Sequence, residues 1–205
     1  VAKAKILKPE FYLHDEVELL APLFLNKYLM TNTDGHVTGG RIVEVEAYAG
    51  RGRDKACHAH NKRTSRNESM FLKGGHAYIY LCYGLHNLFN IVTNVTDTPD
   101  AILVRAIEPT EGLDVQLRRR KRSRLEPDVG NGPGKVGQAL GLTVSQDKLP
   151  LSGPEVWIED RGETADAILA GKRIGIDYAG KDVNLPWRFA TDSRFVGHRK
   201  HLKPQ

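Results

Sequence analysis

The sequence predicts an α+β fold built around an antiparallel sheet, and three observations carry that prediction. Several stretches alternate in the two-residue period of a strand, above all residues 41–48 and 77–83. These stretches follow one another closely and are separated by turn signals such as Asp34-Gly35, so neighbours pair as hairpins. Helical windows are few and short, and fewer than the strands. At 205 residues, 40% hydrophobic and 27% charged, the chain suffices for one domain spanning 1–205, and no linker or repeat divides it.

Taken in order, Asp15 is placed to cap a helix running from Glu16 toward Tyr28, with Pro22 forcing a kink or a late start. Residues 28–31 and 36–48, joined through Asp34-Gly35, read as a hairpin. Ala77–Tyr83 with Leu88–Thr93, and then Ala101–Ile107, supply further strands. The Gly-rich segment from Gly130 to Gly134 leads into a helix reaching Leu140. Glu155–Ile158 and Arg173–Ile176 read as short strands, and Glu163–Ala170 as a helix.

Composition narrows the function classes. No window approaches the 18 or so apolar residues of a membrane span, and Val1-Ala-Lys-Ala-Lys-Ile lacks the apolar centre of a secretory signal, so a soluble intracellular protein without a membrane partner is expected. Cys57 and Cys82 are the only cysteines, which predicts free thiols in a reducing compartment. The net charge of +5 is unevenly spread: every residue from Arg118 to Arg124 is basic except Ser123. Such a run repels itself and favours water or a polyanion over a packed interior.

The period of residues 41–48 puts Ile42, Glu44, Glu46 and Tyr48 on one face. Glu44 reads as part of a solvent face. Glu46 gains meaning from Arg105, whose charge interrupts the apolar run 101–107 and calls for a carboxylate partner. The pair reads either as a structural ion pair or as a general base with a cation beside it. Three of seven tyrosines lie within six residues; Tyr78 and Tyr80 share a strand face, whereas Tyr83, before Gly84, projects from a turn as a duplex-inserting wedge would. Lys135 ends a glycine-rich stretch without a following Ser or Thr, so the nucleotide-binding P-loop pattern fails, and a single backbone-phosphate contact or a simple capped turn remains. Cys57-His58-Ala-His60 with His76, Cys82 and His86 has no standard zinc spacing, and no metal is expected.

In this order, these pieces resemble the alkyladenine DNA glycosylase family, the animal-type 3-methyladenine DNA glycosylases also found in bacteria. The resemblance rests on 41–48, Thr64-Ser-Arg-Asn67 with Met70-Phe71, Tyr78-Ile-Tyr80, Tyr83-Gly84, Asn90, 103–109, Gly132-Pro-Gly-Lys135 and Gln138-Ala-Leu140. It extends more loosely from Arg173-Ile-Gly-Ile to Pro186-Trp-Arg-Phe189. It implies a single domain with a curved antiparallel sheet, surrounding helices and a protruding hairpin that inserts into DNA. The implied activity is metal-free hydrolysis of the N-glycosidic bond of a purine flipped from duplex DNA, by a monofunctional enzyme without cofactor; nothing in the sequence demands a protein partner, so a monomer is expected. The implied substrates are alkylated or deaminated purines: 3-methyladenine, 7-methylguanine, hypoxanthine and ethenoadenine.

Carried onto this chain, Glu46 is implied as the base that activates water and Arg105 as its companion. Tyr48, His58, Tyr80 and Asn90 are implied to wall the base pocket, Tyr83 to fill the vacated space, and Lys135 to contact phosphate. Arg119 in the basic run is expected to contact phosphate as well. Residues 49–58 are one residue longer than in the animal proteins, which leaves His60 as a rival to His58. Two other classes stay open: a noncatalytic nucleic-acid-binding module and a metal-dependent hydrolase.

Overall fold

The computed structural model describes residues 4–205. Its strands are β1 (Lys5–Ile6), β2 (Tyr28–Thr33), β3 (His36–Tyr48), β4 (Ala77–Cys82), β5 (His86–Thr93), β6 (Asp100–Glu111), β7 (Val156–Asp160), β8 (Leu169–Gly171), β9 (Arg188–Ala190) and β10 (Leu202–Pro204). All join one sheet in the order β1-β7-β2-β3-β6-β5-β4, with β9 on β3, β8 on β9 and β10 on β8. Every pairing is antiparallel, as the hairpin spacing predicts, and the sheet curls into a half-barrel. Three short helices accompany it: α1 (Val17–Leu20), α2 (Leu113–Arg120) and α3 (Pro133–Leu140). No helix among the described residues is long and apolar enough to cross a membrane.

Alternation along the central strands sorts their side chains by chemistry. Val45, Ala47, Ile79, Phe89, Ile91, Ile102 and Val104 point to one face, where Leu20 and Phe24 before β2 and Val136 and Leu140 of α3 cover them in the main core. Burying each large apolar side chain contributes roughly 1.5–3 kcal/mol. The residues between them, Glu46, Tyr48, Tyr78, Tyr80, Asn90, Leu103 and Arg105, therefore share the opposite face. That face carries the site.

Two bulges adjust this parity. Ile42 pairs with Ile107, Glu44 with Ala106 and Val45 with Val104, so Val43 on β3 and Arg105 on β6 each stand as an extra residue. Ile42 is thereby turned into the main core with Val45, whereas Val43 packs in a small second cluster with Ala106, Ala190 and Phe195. The strict two-residue period had put Ile42 beside Glu46. Only Glu44, Glu46 and Tyr48 keep that face.

Other expectations need correction. The helix after Asp15 shrinks to α1, which Glu16 precedes without any side-chain cap, and Pro22 opens a separate 3-10 turn at Ala21–Phe24. The window 163–170 holds no helix but ends in β8. There Ile168 and Ala170 face the main core while Leu169 faces the second cluster, so a strand partitions these apolar groups as one helical stripe could not. Arg173–Ile176 is irregular chain between β8 and a 3-10 segment, for a reason that lies in the site.

Candidate active site

Glu46 has no exposed surface, yet its carboxylate is fully engaged. Oε2 accepts the Tyr48 hydroxyl at 2.7 Å and lies 3.3 Å from Arg105 Nη1, while Oε1 accepts the backbone N–H of Ile174 at 2.8 Å. These three donors all line a cavity of about 630 Å³ on the polar face of the sheet, so Glu46 sits directly behind its wall. Arg105 also donates Nε to Glu44 at 3.0 Å. Burial works against the Arg105 charge, but Glu46 and Glu44 outweigh it, and its pKa is raised above the ordinary arginine value. Tyr48 is held protonated by burial and by the Glu46 charge, and so remains a donor.

Glu44 does not belong to a solvent face. It is 2% exposed and bridges two buried arginines, Arg105 and Arg188, the latter at 2.7 Å. Such an arrangement is invisible to a reading of one strand, because Arg188 arrives from β9, 144 residues along the chain.

The Ile174 donor was also beyond sequence reading, since a backbone N–H carries no residue identity. Its placement follows from Arg173, which forms a fully buried pair with Asp54 (Nη2 to Oδ1, 2.8 Å) and donates to the Ala47 carbonyl at 2.8 Å. The same guanidinium lies 4.7 Å from the Tyr48 ring and 5.3 Å from that of Trp187. Residues 173–176 are thus stretched over the β3 end as a wall and cannot pair as a strand.

The remaining wall is aromatic. His58 Nδ1 lies 2.8 Å from the Tyr78 hydroxyl, and its ring meets Tyr80 edge-on at 4.6 Å. Asn90 gives its amide N–H groups to the Tyr78 and Leu88 carbonyls at 3.1 and 3.3 Å, which fixes its orientation in the wall. Tyr48, His58, Tyr80 and Asn90 all line the cavity, and so do Arg66 and Tyr178, which sequence reading did not assign. His60 does not line it; its Nδ1 is buried without a partner.

Burial, with a smaller contribution from Arg66, lowers the His58 pKa below 6.5, so the ring is neutral at pH 7. A depressed histidine binds fewer protons folded than unfolded, so its contribution to stability is complete above pH 6.5 and declines as pH falls below it. We expect an NMR titration of His58 to show a midpoint below 6.5, and Tyr78→Phe to move it. A midpoint at or above 6.5 would contradict this placement.

At the mouth of the cavity, β4 and β5 end in a turn closed by Leu85 N–H to Cys82 O at 3.0 Å, with Tyr83 at φ +50° and Gly84 at φ +69°. Both central residues have positive φ, the twist that suits a tight hairpin, although a tyrosine there is strained by about 1–2 kcal/mol. Its ring is 92% exposed. Tyr83→Gly is expected to raise the melting temperature, since relief of this strain exceeds the ~0.4–1 kcal/mol of added chain entropy. Thermal melts check this; a lower melting temperature would show that the ring is held by contacts and not merely presented.

A model of the family described as methylpurine-DNA glycosylase (MPG) matches residues 10–194. The chain belongs to the methylpurine-DNA glycosylase family. An Arabidopsis thaliana protein named DNA-3-methyladenine glycosylase is 42% identical over 207 residues, covering 99% of this chain and 79% of that protein. Two proteins named "Putative 3-methyladenine DNA glycosylase", from Chlamydia pneumoniae and Chlamydia abortus, are 44% and 47% identical over 186 residues. Each alignment covers 90% of this chain, and 94% and 97% of the respective relative. As a methylpurine-DNA glycosylase family member the chain is a DNA glycosylase, which sets aside the noncatalytic module.

Within this member of the family, the glycine-rich segment has a packing task. A Cβ at Gly134 would lie 2.9 Å from the His86 ring, and one at Gly137 would lie 2.3 Å from the Asn87 carbonyl, so these glycines let α3 seat the hairpin. Lys135 donates to Asn131 at 2.7 Å, two residues beyond Pro133 in the cavity wall. Arg119 is occupied elsewhere: it donates to Thr33 and Thr38 hydroxyls and to the Ala139 carbonyl, tying α2 to α3 and the β2–β3 hairpin. Its guanidinium serves the fold, and the phosphate role expected of it finds no support in this geometry. Most of the basic run is used likewise, with Arg120 on Gln138 and Arg122 on Asp128. Cys57 is buried with its thiol pushed up to about 12, and no group of three or more His, Cys, Asp or Glu among the described residues could hold a metal ion.

Proposed function

We propose that this glycosylase flips alkylated or deaminated purines out of duplex DNA into the cavity and hydrolyses their N-glycosidic bond with a water activated by Glu46. The observation that carries the reading is a buried carboxylate whose three donors all belong to the wall of an aromatic cavity, beside an exposed tyrosine hairpin. The substrate range named for the resemblance, 3-methyladenine, 7-methylguanine, hypoxanthine and ethenoadenine, is part of the proposal.

Tyr83 fills the gap that the extruded base leaves. Extrusion costs a few kcal/mol, least for a damaged pair, and stacking on aromatic rings returns about 1–3 kcal/mol per contact. Tyr48, Tyr80 and His58 supply those rings, and Asn90 holds the purine edge so that the extra amino group of normal guanine is disfavoured. Water then attacks the sugar C1′: its oxygen forms the new bond, its proton passes to Glu46, and the C1′–N9 electrons leave with the base. Arg105 orients that water and keeps Glu46 in place. The Tyr48 hydroxyl now occupies Oε2, so stacking of the base on Tyr48 and entry of the water are coupled. Lys135, at the head of α3, contacts a backbone phosphate. The enzyme acts as a monomer.

The test is release of damaged purines from duplexes carrying one lesion each, with undamaged duplex as control and EDTA present throughout. Release from lesions alone, leaving an intact abasic strand, is expected. Failure with all four lesions, or a borohydride-trapped covalent adduct, would overturn the reading.

A further inference from the structure

A second concavity, about 530 Å³, lies on the other side of the loop that caps Glu46. Ile174 is common to both: its N–H holds the carboxylate in the first, and the loop's Lys172 opens into the second. The other rim groups come from the C-terminal segment, His198, Lys200, His201 and Lys203, and all of them, like Lys172, are exposed. Arg173 and Arg188 form the floor, Arg173 paired with the buried Asp54 and Arg188 with the buried Glu44 that it shares with Arg105. No carboxylate among the described residues lines the concavity.

The segment is seated specifically. Leu202 and Lys203 of β10 pair with Gly171 and Ala170 of β8, immediately before the loop. A Cβ at Gly171 would lie 2.6 Å from the His201 carbonyl, so only glycine allows this approach. Arg188 also donates to the Gly197 carbonyl and so fastens the start of the segment. Three lysines gathered at one rim without an acid repel one another unless an anion is shared among them. These residues, apart from the loop and floor, lie beyond the family match, which ends at residue 194.

We propose that this groove is a phosphate site for the DNA backbone, holding a phosphodiester against the loop that carries the Ile174 donor. It rests on duplex DNA being the ligand and not on the role of Glu46. A phosphate bound here braces residues 172–174 from behind while the base occupies the cavity in front.

The test is the salt dependence of binding to a hypoxanthine-containing duplex for wild type and for Lys200→Ala/Lys203→Ala, both in the full chain. In parallel, inorganic phosphate is titrated while the ring signals of His198 and His201 are followed by NMR. Loss of one phosphate contact lowers the slope of log affinity against log salt by about 0.9. We expect that loss, with weaker binding at every salt and a phosphate response that the double variant lacks. A phosphate response with an unaltered slope would assign the groove to free phosphate and overturn the DNA role; no change in either would overturn the site. No duplex binding by wild type would instead remove the glycosylase reading itself.

Discussion

Glu46→Gln is expected to slow base release by about 10²–10⁴-fold while leaving the chain folded and still able to bind a damaged duplex. The amide keeps the shape, its single oxygen can still accept the Ile174 N–H while its NH2 donates to the Tyr48 hydroxyl, and it cannot take a proton from water. Folding survives because Arg105, the one cation that loses a partner, retains Glu44 at 3.0 Å. Quenched single-turnover release, beside circular dichroism melts, checks both parts. Release at the wild-type rate would assign the base to another residue; an unfolded variant would show that Glu46 is structural.

The largest effect on stability is expected at the neighbouring carboxylate. Glu44→Gln withdraws the charge that two buried guanidiniums share and leaves Arg188, 1% exposed, with only neutral acceptors, the glutamine oxygen and the Gly197 carbonyl. Breaking a buried pair from one side costs about 3–5 kcal/mol, because the surviving charge is left desolvated. At roughly 2–4 °C per kcal/mol for a chain of this size, the melting temperature falls by on the order of 10 °C. Glu108→Gln, at a half-exposed pair with Arg41, provides the comparison and is expected to cost no more than about 1 kcal/mol. Equal losses at the two positions would mean that the Glu44 bridge is not the keystone of this face. Glu44 and Glu46 are two residues apart on one strand, yet one variant should lose stability and the other turnover.

The sheet was legible because its strands alternate. Tyr78, Tyr80, Asn90 and Arg105 fall on one face by parity alone, and the Asp34-Gly35 turn marks the first hairpin. Parity failed at Val43, where a bulge that cannot be read from one sequence misplaced Ile42, while Glu44 looked solvated because its partner Arg188 arrives from β9. The tight turn at Tyr83-Gly84 was readable from its glycine, and the exposure of the ring agrees with it. Charge density did not report that Arg119 also donates to the Ala139 and Thr33 carbonyls. Least legible were long-range partners: Ile174 N–H on Glu46, Asp54 on Arg173 and Arg188 on Glu44 are joined across more than one hundred residues. The helix expected at 163–170 was lost to β9 and β10, partners that no local propensity reports.

The central claim, that base extrusion and Glu46-driven hydrolysis are separate acts of one site, is tested most directly by the fluorescence of ethenoadenine in a duplex mixed with excess enzyme. Wild type should give a fast change as the base enters the aromatic cavity, then a slower one as free base is released. Glu46→Gln should give the first change alone and hold it. A second phase in that variant at the wild-type rate would contradict the assignment of Glu46.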